Sequence, residues 1–179
     1  MGHRIQKILS VLAVTVLFSV CVLGVEVALL SASPALAAMR QLEEAPGQVV
    51  YQSRQTLPDS RGDRWQVIAF NRIRPDGSTS FYLRLVGFSG TAAIDRSRPL
   101  TLTTSLGQSL TAADASSQIF TDESTPEPNV GQYDLQPLIA QLRATIPLQL
   151  TLPILNQDDV LLPVASALIQ EWQTVAAYK

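Results

Sequence analysis

Histidine and cysteine are almost absent from this sequence of 179 residues, which contains only His3 and Cys21. Both lie within the first 37 residues, which we expect to be removed from the mature protein. The remaining chain then has no thiol and no imidazole group, and this excludes disulfides, cysteine nucleophiles, histidine bases and metal sites built from these ligands. The sequence therefore predicts a protein that is not an enzyme, with no catalytic residue and no cofactor-binding or metal-binding site.

Lysine is also scarce, and positive charge is carried almost entirely by arginine. Without Arg4, Lys7 and Glu26, the chain keeps 11 basic and 14 acidic residues, a net charge of −3. Ten of the 11 basic residues are arginine, and the other is Lys179. Because nucleic-acid binding calls for a clustered positive surface, this balance does not favour nucleic acid, and no nucleic-acid partner is expected.

The first 37 residues have the pattern of a secretory signal peptide. Arg4 and Lys7 precede an apolar run at 8–25, and Ala35 and Ala37 form an A-x-A cleavage site. We expect cleavage after Ala37, and the alternative is an uncleaved membrane anchor, since about 18 apolar residues can span a bilayer. Export is the expected localisation in either case.

The strongest fold signal is a β-hairpin at 65–88, whose two apolar-rich runs flank the turn Pro75-Asp76-Gly77-Ser78. A four-residue loop would pair Phe70 with Leu83 and Ile68 with Leu85. One face would then carry Ile68, Phe70, Phe81, Leu83 and Leu85, a continuous core surface. A slip by one residue would turn every side chain of one strand to the other face and would pair Ile68 with Arg84. The first register is the prediction.

The remaining chain predicts an α+β fold with a mostly antiparallel sheet of about six or seven strands and two short helices packed on it. Besides the hairpin, strands are expected at 48–57, 99–104, 109–112, 148–152 and 160–164. A first helix is expected to begin at Asp134 as its N-cap, and a second to cover 165–177. The segment at 38–47 is expected to be a charged entry with a short helical turn. Residues 38–179 are expected to form one domain, with a mobile acidic, proline-rich loop at 121–131.

Seven arginines gather on the strand-rich half of the chain, and they suit carboxylates or lipid headgroup phosphates. Arg84 stands out because it lies between Tyr82 and Val86 on a partly apolar face, where a charge needs a partner. The candidate partner contacts are Arg84, Tyr82, Asn129, Gln132 and Tyr133, the last three beside the acidic loop. We expect solvated turns, and not a catalytic or metal site, at the acidic pairs Glu43-Glu44, Asp122-Glu123 and Asp158-Asp159. We expect the core, and not a ligand-stacking surface, for Trp65 and Trp172.

Five phrases together resemble a known family: 44–49 (EAPGQV), 51–55 (YQSRQ), 83–88 (LRLVGF), 129–135 (NVGQYDL) and 170–173 (QEWQ). They are similar to the cyanobacterial family called domain of unknown function 3122, over essentially the whole mature chain. The resemblance implies a small exported protein of cyanobacteria, located in the periplasm or the thylakoid lumen. It supplies no catalytic residues.

Three functions remain open from the sequence. The leading hypothesis is a non-enzymatic binding or assembly factor for a membrane-associated complex, photosynthetic complexes included. The second is a small apolar ligand or lipid binder with a pocket between the sheet and the final helix. The third is a hydrolase that uses carboxylates alone, and it requires two acidic side chains that converge in a cleft.

Overall fold

A computed structural model describes residues 40–88, 92–120 and 125–179 of the chain. The predicted signal peptide and its cleavage site lie outside these residues, as does the 121–124 part of the predicted mobile loop. Nine antiparallel strands in two sheets make up most of the regular secondary structure of the described residues. The strands are β1 (Arg40–Ala45), β2 (Gln48–Pro58), β3 (Arg64–Ile73), β4 (Thr79–Gly87), β5 (Leu100–Thr104), β6 (Ser109–Ala112), β7 (Val130–Asp134), β8 (Leu148–Leu152) and β9 (Val160–Val164).

The two sheets are interleaved along the sequence, since β7 of the first sheet lies between β6 and β8 of the second. The first sheet has the order β1-β2-β3-β4-β7, and the second has the order β6-β5-β8-β9. The single α-helix of the described residues, α1 (Ser166–Ala176), packs against β2 and β3, as predicted for the final helix. Two short 3₁₀ helices at Ser116–Gln118 and Ile139–Gln141 complete the regular structure described.

The mostly antiparallel α+β prediction is confirmed at this coarse level, but the strand and helix counts differ. All seven predicted strands form, and the prediction missed β1 and β7. Every residue of β1 is exposed. Its sequence therefore shows no apolar alternation, and its pairing with β2 defines it. β7 is short and follows a proline-rich segment, but pairing with β4 makes it a strand and buries Tyr133.

The helix predicted after Asp134 is wrong. Asp134 ends β7, and its Oδ1 accepts a hydrogen bond from Gln136 N at 2.9 Å, which closes a turn rather than capping an α-helix. A single 3₁₀ turn at Ile139–Gln141 follows, and Leu142 is already extended. Pro137 lacks a backbone N–H, and the apolar side chains of this segment reach the core from irregular backbone instead.

The predicted register of the β3–β4 hairpin is wrong by one residue. The structure pairs Phe70 with Tyr82 and Ile68 with Arg84, which is the register that the prediction rejected. The reason lies in the turn: Arg74 N donates to Ser78 O at 2.9 Å, so the loop has three residues and not four. Gly77 adopts φ 79° there, the left-handed conformation of the residue that forms the bulge in a three-residue hairpin loop.

The register decides which side chains form the core between the sheets. Trp65, Val67, Ala69 and the odd-numbered residues of β4 from Phe81 to Leu85 face inward. They meet the inward residues of the second sheet, such as Leu150 and Leu162, and the buried stripe of α1 in one apolar cluster. Trp65 and Trp172 are 1% and 0% exposed, so their predicted place in the core is confirmed.

Two polar contacts fasten α1 to the first sheet. Asn71 Nδ2 donates to the carbonyl of Tyr178 at 2.8 Å and lies near the carbonyls of Val175 and Ala176, which satisfies acceptors at the end of the helix. Ser53 Oγ donates to Glu171 Oε2 at 2.8 Å. The helix covers the inner side of the sheet near β2 and β3, and it leaves the outer face of β2, β3 and β4 to other contacts.

Candidate functional site

The outer face of the first sheet carries arginines around a small apolar cluster, and we call it the arginine face. Its central arginines are Arg54, Arg72 and Arg84, and its apolar cluster consists of Val50, Ile68, Phe70, Tyr82 and Ala115. The strand pairing places them together, since Arg54 lies opposite Ile68 and Ile68 lies opposite Arg84. Val50 likewise lies opposite Arg72. Side chains that are directly opposite on neighbouring strands share one face, and the three cations therefore project from the same surface.

Arg84 is half-buried at the middle of this face. Its Nε and Nη2 donate to Gln132 Oε1 at 3.1 and 2.7 Å, and its guanidinium carbon lies 5.1 Å from the centre of the Phe70 ring. Burial lowers the pKa of Arg84 below its ordinary value, and the positive charge of Arg72 lowers it further. Glu44 opposes this effect. Within the described part of the chain, the acceptor that Arg84 binds is a neutral amide and not a carboxylate.

Arg72 contacts the same aromatic ring. Its guanidinium carbon is 5.7 Å from the centre of the Phe70 ring, within the range of a cation–π contact. Its Nε donates to Glu44 Oε2 at 2.9 Å, and Nη2 lies 3.4 Å from Glu44 Oε1. Two guanidinium groups thus cover Phe70, which is only 3% exposed although it is on the outer face.

Tyr82 and Gln132 connect the arginine face to the 3₁₀ helix at Ser116–Gln118. Tyr82 OH donates to Gln118 Oε1 at 2.6 Å, and its ring lies 5.6 Å from that of Phe70. Gln132 N donates to Ser116 Oγ at 3.0 Å, and Gln132 Nε2 donates to the carbonyl of Ala115. Gln132 is 0% exposed, so these contacts fix the oxygen that binds Arg84.

Of the five candidate contacts predicted from the sequence, the structure brings Arg84, Tyr82 and Gln132 together. Asn129 lies at the end of the sheet, where its side-chain amide donates to the carbonyl of Gly87. Tyr133 points the opposite way, into the core between the sheets, and is 0% exposed. Burial raises the pKa of the Tyr133 hydroxyl, with a smaller contribution from Asp114.

The sequence did not identify Glu44 and Phe70 as parts of this site. The signal for Phe70 was its i, i+2 spacing from Arg72, which places both on one face of β3. That signal was missed because the wrong register moved Phe70 away from Arg84. The sequence did not indicate that Glu44 lies near the arginines, since its segment was expected to be a helical turn and not a strand beside β2.

Carboxylates do not gather into a metal centre in the described residues. Glu43 and Glu44 diverge, because Glu43 Oε1 faces Gly47 N and Glu44 binds Arg72. Asp159 pairs with Arg98 at 2.8 Å. Over 40–88, 92–120 and 125–179, no group of three or more His, Cys, Asp or Glu side chains is placed to hold a metal ion. In the same residues, no helix has the length and apolar character needed to cross a membrane.

Two open grooves lie away from the arginine face. The first, of about 290 Å³, is lined by Ile139, Ala140, Gln173, Ala176 and Ala177, between the second 3₁₀ helix and the end of α1. The second, of about 320 Å³, lies beside the hairpin loop of the second sheet and is bordered by Ser105, Pro147 and Pro163. The space between the first sheet and α1 is filled by core side chains such as Ile169 and Trp172, both 0% exposed.

Comparison with known proteins gives one family. The family model described as a protein of unknown function (DUF3122) matches residues 37–175, which is most of the chain. No curated protein and no solved structure matches the chain significantly. The match begins next to the predicted cleavage site, and it includes both sheets and nearly all of α1.

Proposed function

We propose that this chain, which belongs to the DUF3122 family, is a non-enzymatic exported protein that binds an acidic surface of a membrane-associated protein complex through its arginine face. The observation that carries the proposal is the state of Arg84. It is a half-buried cation whose acceptor, within the described residues, is the neutral Gln132.

The electrostatics of the arginine face support an anionic partner. Arg72, Arg54 and Glu44 are the charges that act on Arg84, so three cations share one nearby carboxylate. Burial of a cation without a counter-charge opposes folding, and a partner carboxylate that reaches Arg84 would recover part of this free energy on binding. A planar guanidinium also binds a carboxylate in a defined orientation through two parallel hydrogen bonds.

Other parts of the proposal rest on the sequence. A chain without histidine and cysteine after residue 37 favours binding over catalysis. The leader pattern supports export, and retention of the leader would keep the protein on the membrane. The resemblance to cyanobacterial proteins supports a periplasmic or lumenal location and includes photosynthetic complexes among the partners.

A pull-down from solubilised membranes tests this function. We expect the wild-type chain to recover a protein complex and Arg84→Gln to lose most of it, since glutamine keeps a donor for Gln132 but removes the charge. Arg143→Gln is the matched control, because Arg143 is exposed, lies outside the arginine face and changes the net charge equally. Recovery should also fall with salt between about 0.05 and 0.5 M, because screening weakens contacts of exposed charges.

Failure of the wild-type chain to recover any complex would contradict the proposal. Equal recovery by Arg84→Gln and the wild type would also contradict it, because the charge of Arg84 would then have no role. If Arg143→Gln loses the complex as well, net charge and not the arginine face is responsible. Circular dichroism of each variant establishes that it is folded.

A small apolar ligand is a second candidate function, and the groove beside α1 favours it. Ile139, Ala140, Ala176 and Ala177 give this groove an apolar lining, and its volume of about 290 Å³ is near the lower end for ligand pockets. Native mass spectrometry of gently purified protein would show a co-purified lipid or pigment. A mass equal to that of the polypeptide alone would contradict this second candidate.

A further inference from the structure

The carboxylate nearest the centre of the arginine face comes from the edge strand β1. Glu44 binds Arg72 through both oxygens, and its Oε2 also accepts Gln48 Nε2 at 2.9 Å. Its charge also acts on Arg84, since Glu44 opposes the lowering of the pKa of Arg84 by burial and by the neighbouring arginines. Glu44 therefore occupies the position that the carboxylate of an acidic partner would take beside the two guanidinium groups.

The strand that carries Glu44 is weakly held. All six residues of β1 are exposed, and β1 pairs with β2 alone. The pairing is irregular between Glu43 and Ala45, at the position of Glu44 itself. The ion pair is also partly open to solvent, with 15% of the Arg72 side chain and 39% of the Glu44 side chain exposed. Contacts of this kind contribute little to stability and are readily exchanged for equivalent ones.

We propose that Arg72 and Arg84 form a carboxylate-binding site over Phe70, in which Glu44 is an internal ligand that the acidic side chain of a protein partner replaces. This inference rests on the proposed function, and it adds the ligand chemistry and an intramolecular competitor. On binding, the Glu44 carboxylate is released to solvent. The partner's carboxylate then accepts the hydrogen bonds that Arg72 Nε and Nη2 donate to Glu44 in the free protein. β1 thus limits the affinity of the face until a sufficiently acidic partner is present.

Removal of the competitor tests the inference. The probe is a fluorescein-labelled hexaglutamate peptide, titrated into the full chain in mild detergent at low salt. Glu44→Gln is expected to lower the Kd by about 1.5-fold to fivefold, the range that corresponds to a partly exposed ion pair. The matched control is Glu43→Gln on the same strand. It changes the net charge equally but leaves the Arg72 pair intact, because Glu43 faces Gly47 N.

The site also predicts how the variants combine. Arg72→Gln added to Glu44→Gln should remove the gain in affinity, since the released guanidinium is what binds the probe. Arg84→Gln should weaken the probe in both the wild-type and the Glu44→Gln backgrounds. Vesicles that contain phosphatidylglycerol and solutions of inorganic phosphate serve as separate competitors, because phosphate oxygens are the other ligand that suits paired arginines.

The possible failures are distinguishable. If the wild type binds the probe and Arg84→Gln weakens it, but Glu44→Gln and Glu43→Gln have the same affinity, the proposed function stands and the role of Glu44 is refuted. If neither the wild type nor Glu44→Gln binds the probe, an acidic protein partner is refuted as well. Binding to the vesicles without binding to the peptide would overturn the carboxylate assignment in favour of a lipid headgroup.

Discussion

Replacement of Arg84 and Gln132 together by methionine is expected to leave the protein folded and nearly as stable as the wild type, although either replacement alone destabilises it. The two side chains form one unit, in which the fully buried Gln132 Oε1 accepts from Arg84 Nε and Nη2. Each single replacement leaves the other member without its partner. The double replacement removes the donor and the acceptor together and keeps two unbranched side chains of similar length.

The magnitudes follow from what each variant leaves unpaired. Arg84→Met leaves the buried amide oxygen of Gln132 without a hydrogen-bond donor, which lowers the free energy of unfolding by about 1–3 kcal/mol. It also removes a cation–π contact that contributes about 0.5–1 kcal/mol. Relief of the buried charge offsets part of this loss, so the expected net decrease in unfolding free energy is about 1–2 kcal/mol. Gln132→Met should cost about 1–2 kcal/mol, since Arg84 is only half-buried and water reaches part of it. The same replacement removes the hydrogen bond from Gln132 Nε2 to the carbonyl of Ala115, but this carbonyl still accepts a hydrogen bond from Gln118 N at 3.0 Å.

Urea unfolding of the four proteins in this double-mutant cycle gives the coupling directly. We expect a coupling energy of about 2–3 kcal/mol and a double variant within about 1 kcal/mol of the wild type. In thermal unfolding, each single variant should melt about 4–8 °C lower. The double variant should nevertheless lose the protein partner, because the charge is gone. Additive single effects would refute the pairing, and a double variant that keeps the partner would refute the role of the charge.

Two further predictions concern the inner side of the sheet. Gly87→Ala should lower the unfolding free energy by about 1–3 kcal/mol in urea, because the new methyl carbon would lie 3.1 Å from Cη2 of the buried Trp65 ring; a change below about 0.5 kcal/mol would show that the ring can move. Burial raises the pKa of the Tyr133 hydroxyl above its ordinary value of 10.0, so the hydroxyl loses its proton at a lower pH in the unfolded chain than in the folded one. As the pH rises above 10, the free energy of unfolding therefore falls by up to about 1.4 kcal/mol per pH unit. Tyr133→Phe should therefore show a weaker decline between pH 10 and 11, and an unchanged slope would contradict this assignment.

The sequence was a good guide to the strands that carry apolar side chains. The alternation of Leu148, Leu150 and Leu152 gave β8, and the stripe that contains Trp172 gave α1 within one residue at each end. β1 was not predicted because an edge strand with both faces exposed to water needs no apolar pattern. The segment after Asp134 was misassigned because helical apolar spacing also fits side chains that enter the core from a turn and a 3₁₀ helix.

The hairpin shows why the candidate site was predicted only in part. Arg84 and Tyr82 are two residues apart on one strand, so every register keeps them on the same face. What the register decides is which residues of β3 join them, and a three-residue loop brings Ile68 and Phe70 there. The apolar pattern fitted both registers, since β3 is apolar on both faces. The left-handed conformation of Gly77 fits the three-residue loop and therefore the observed register. The local turn thus decided the register, although the other register gave a more continuous apolar face.

The same register gives the physical reason for placing function on the arginine face and not in the grooves. A face that only packed would not need a cation at the position of Arg84, since apolar side chains in place of both Arg84 and Gln132 are expected to leave the stability nearly unchanged. Phe70 and Gln132 hold this cation in place without neutralising it. Glu44 neutralises Arg72 from a strand that is exposed along its whole length. A charge that is fixed in position, poor in counter-ions and next to an exchangeable carboxylate is what recognition of an acidic partner requires.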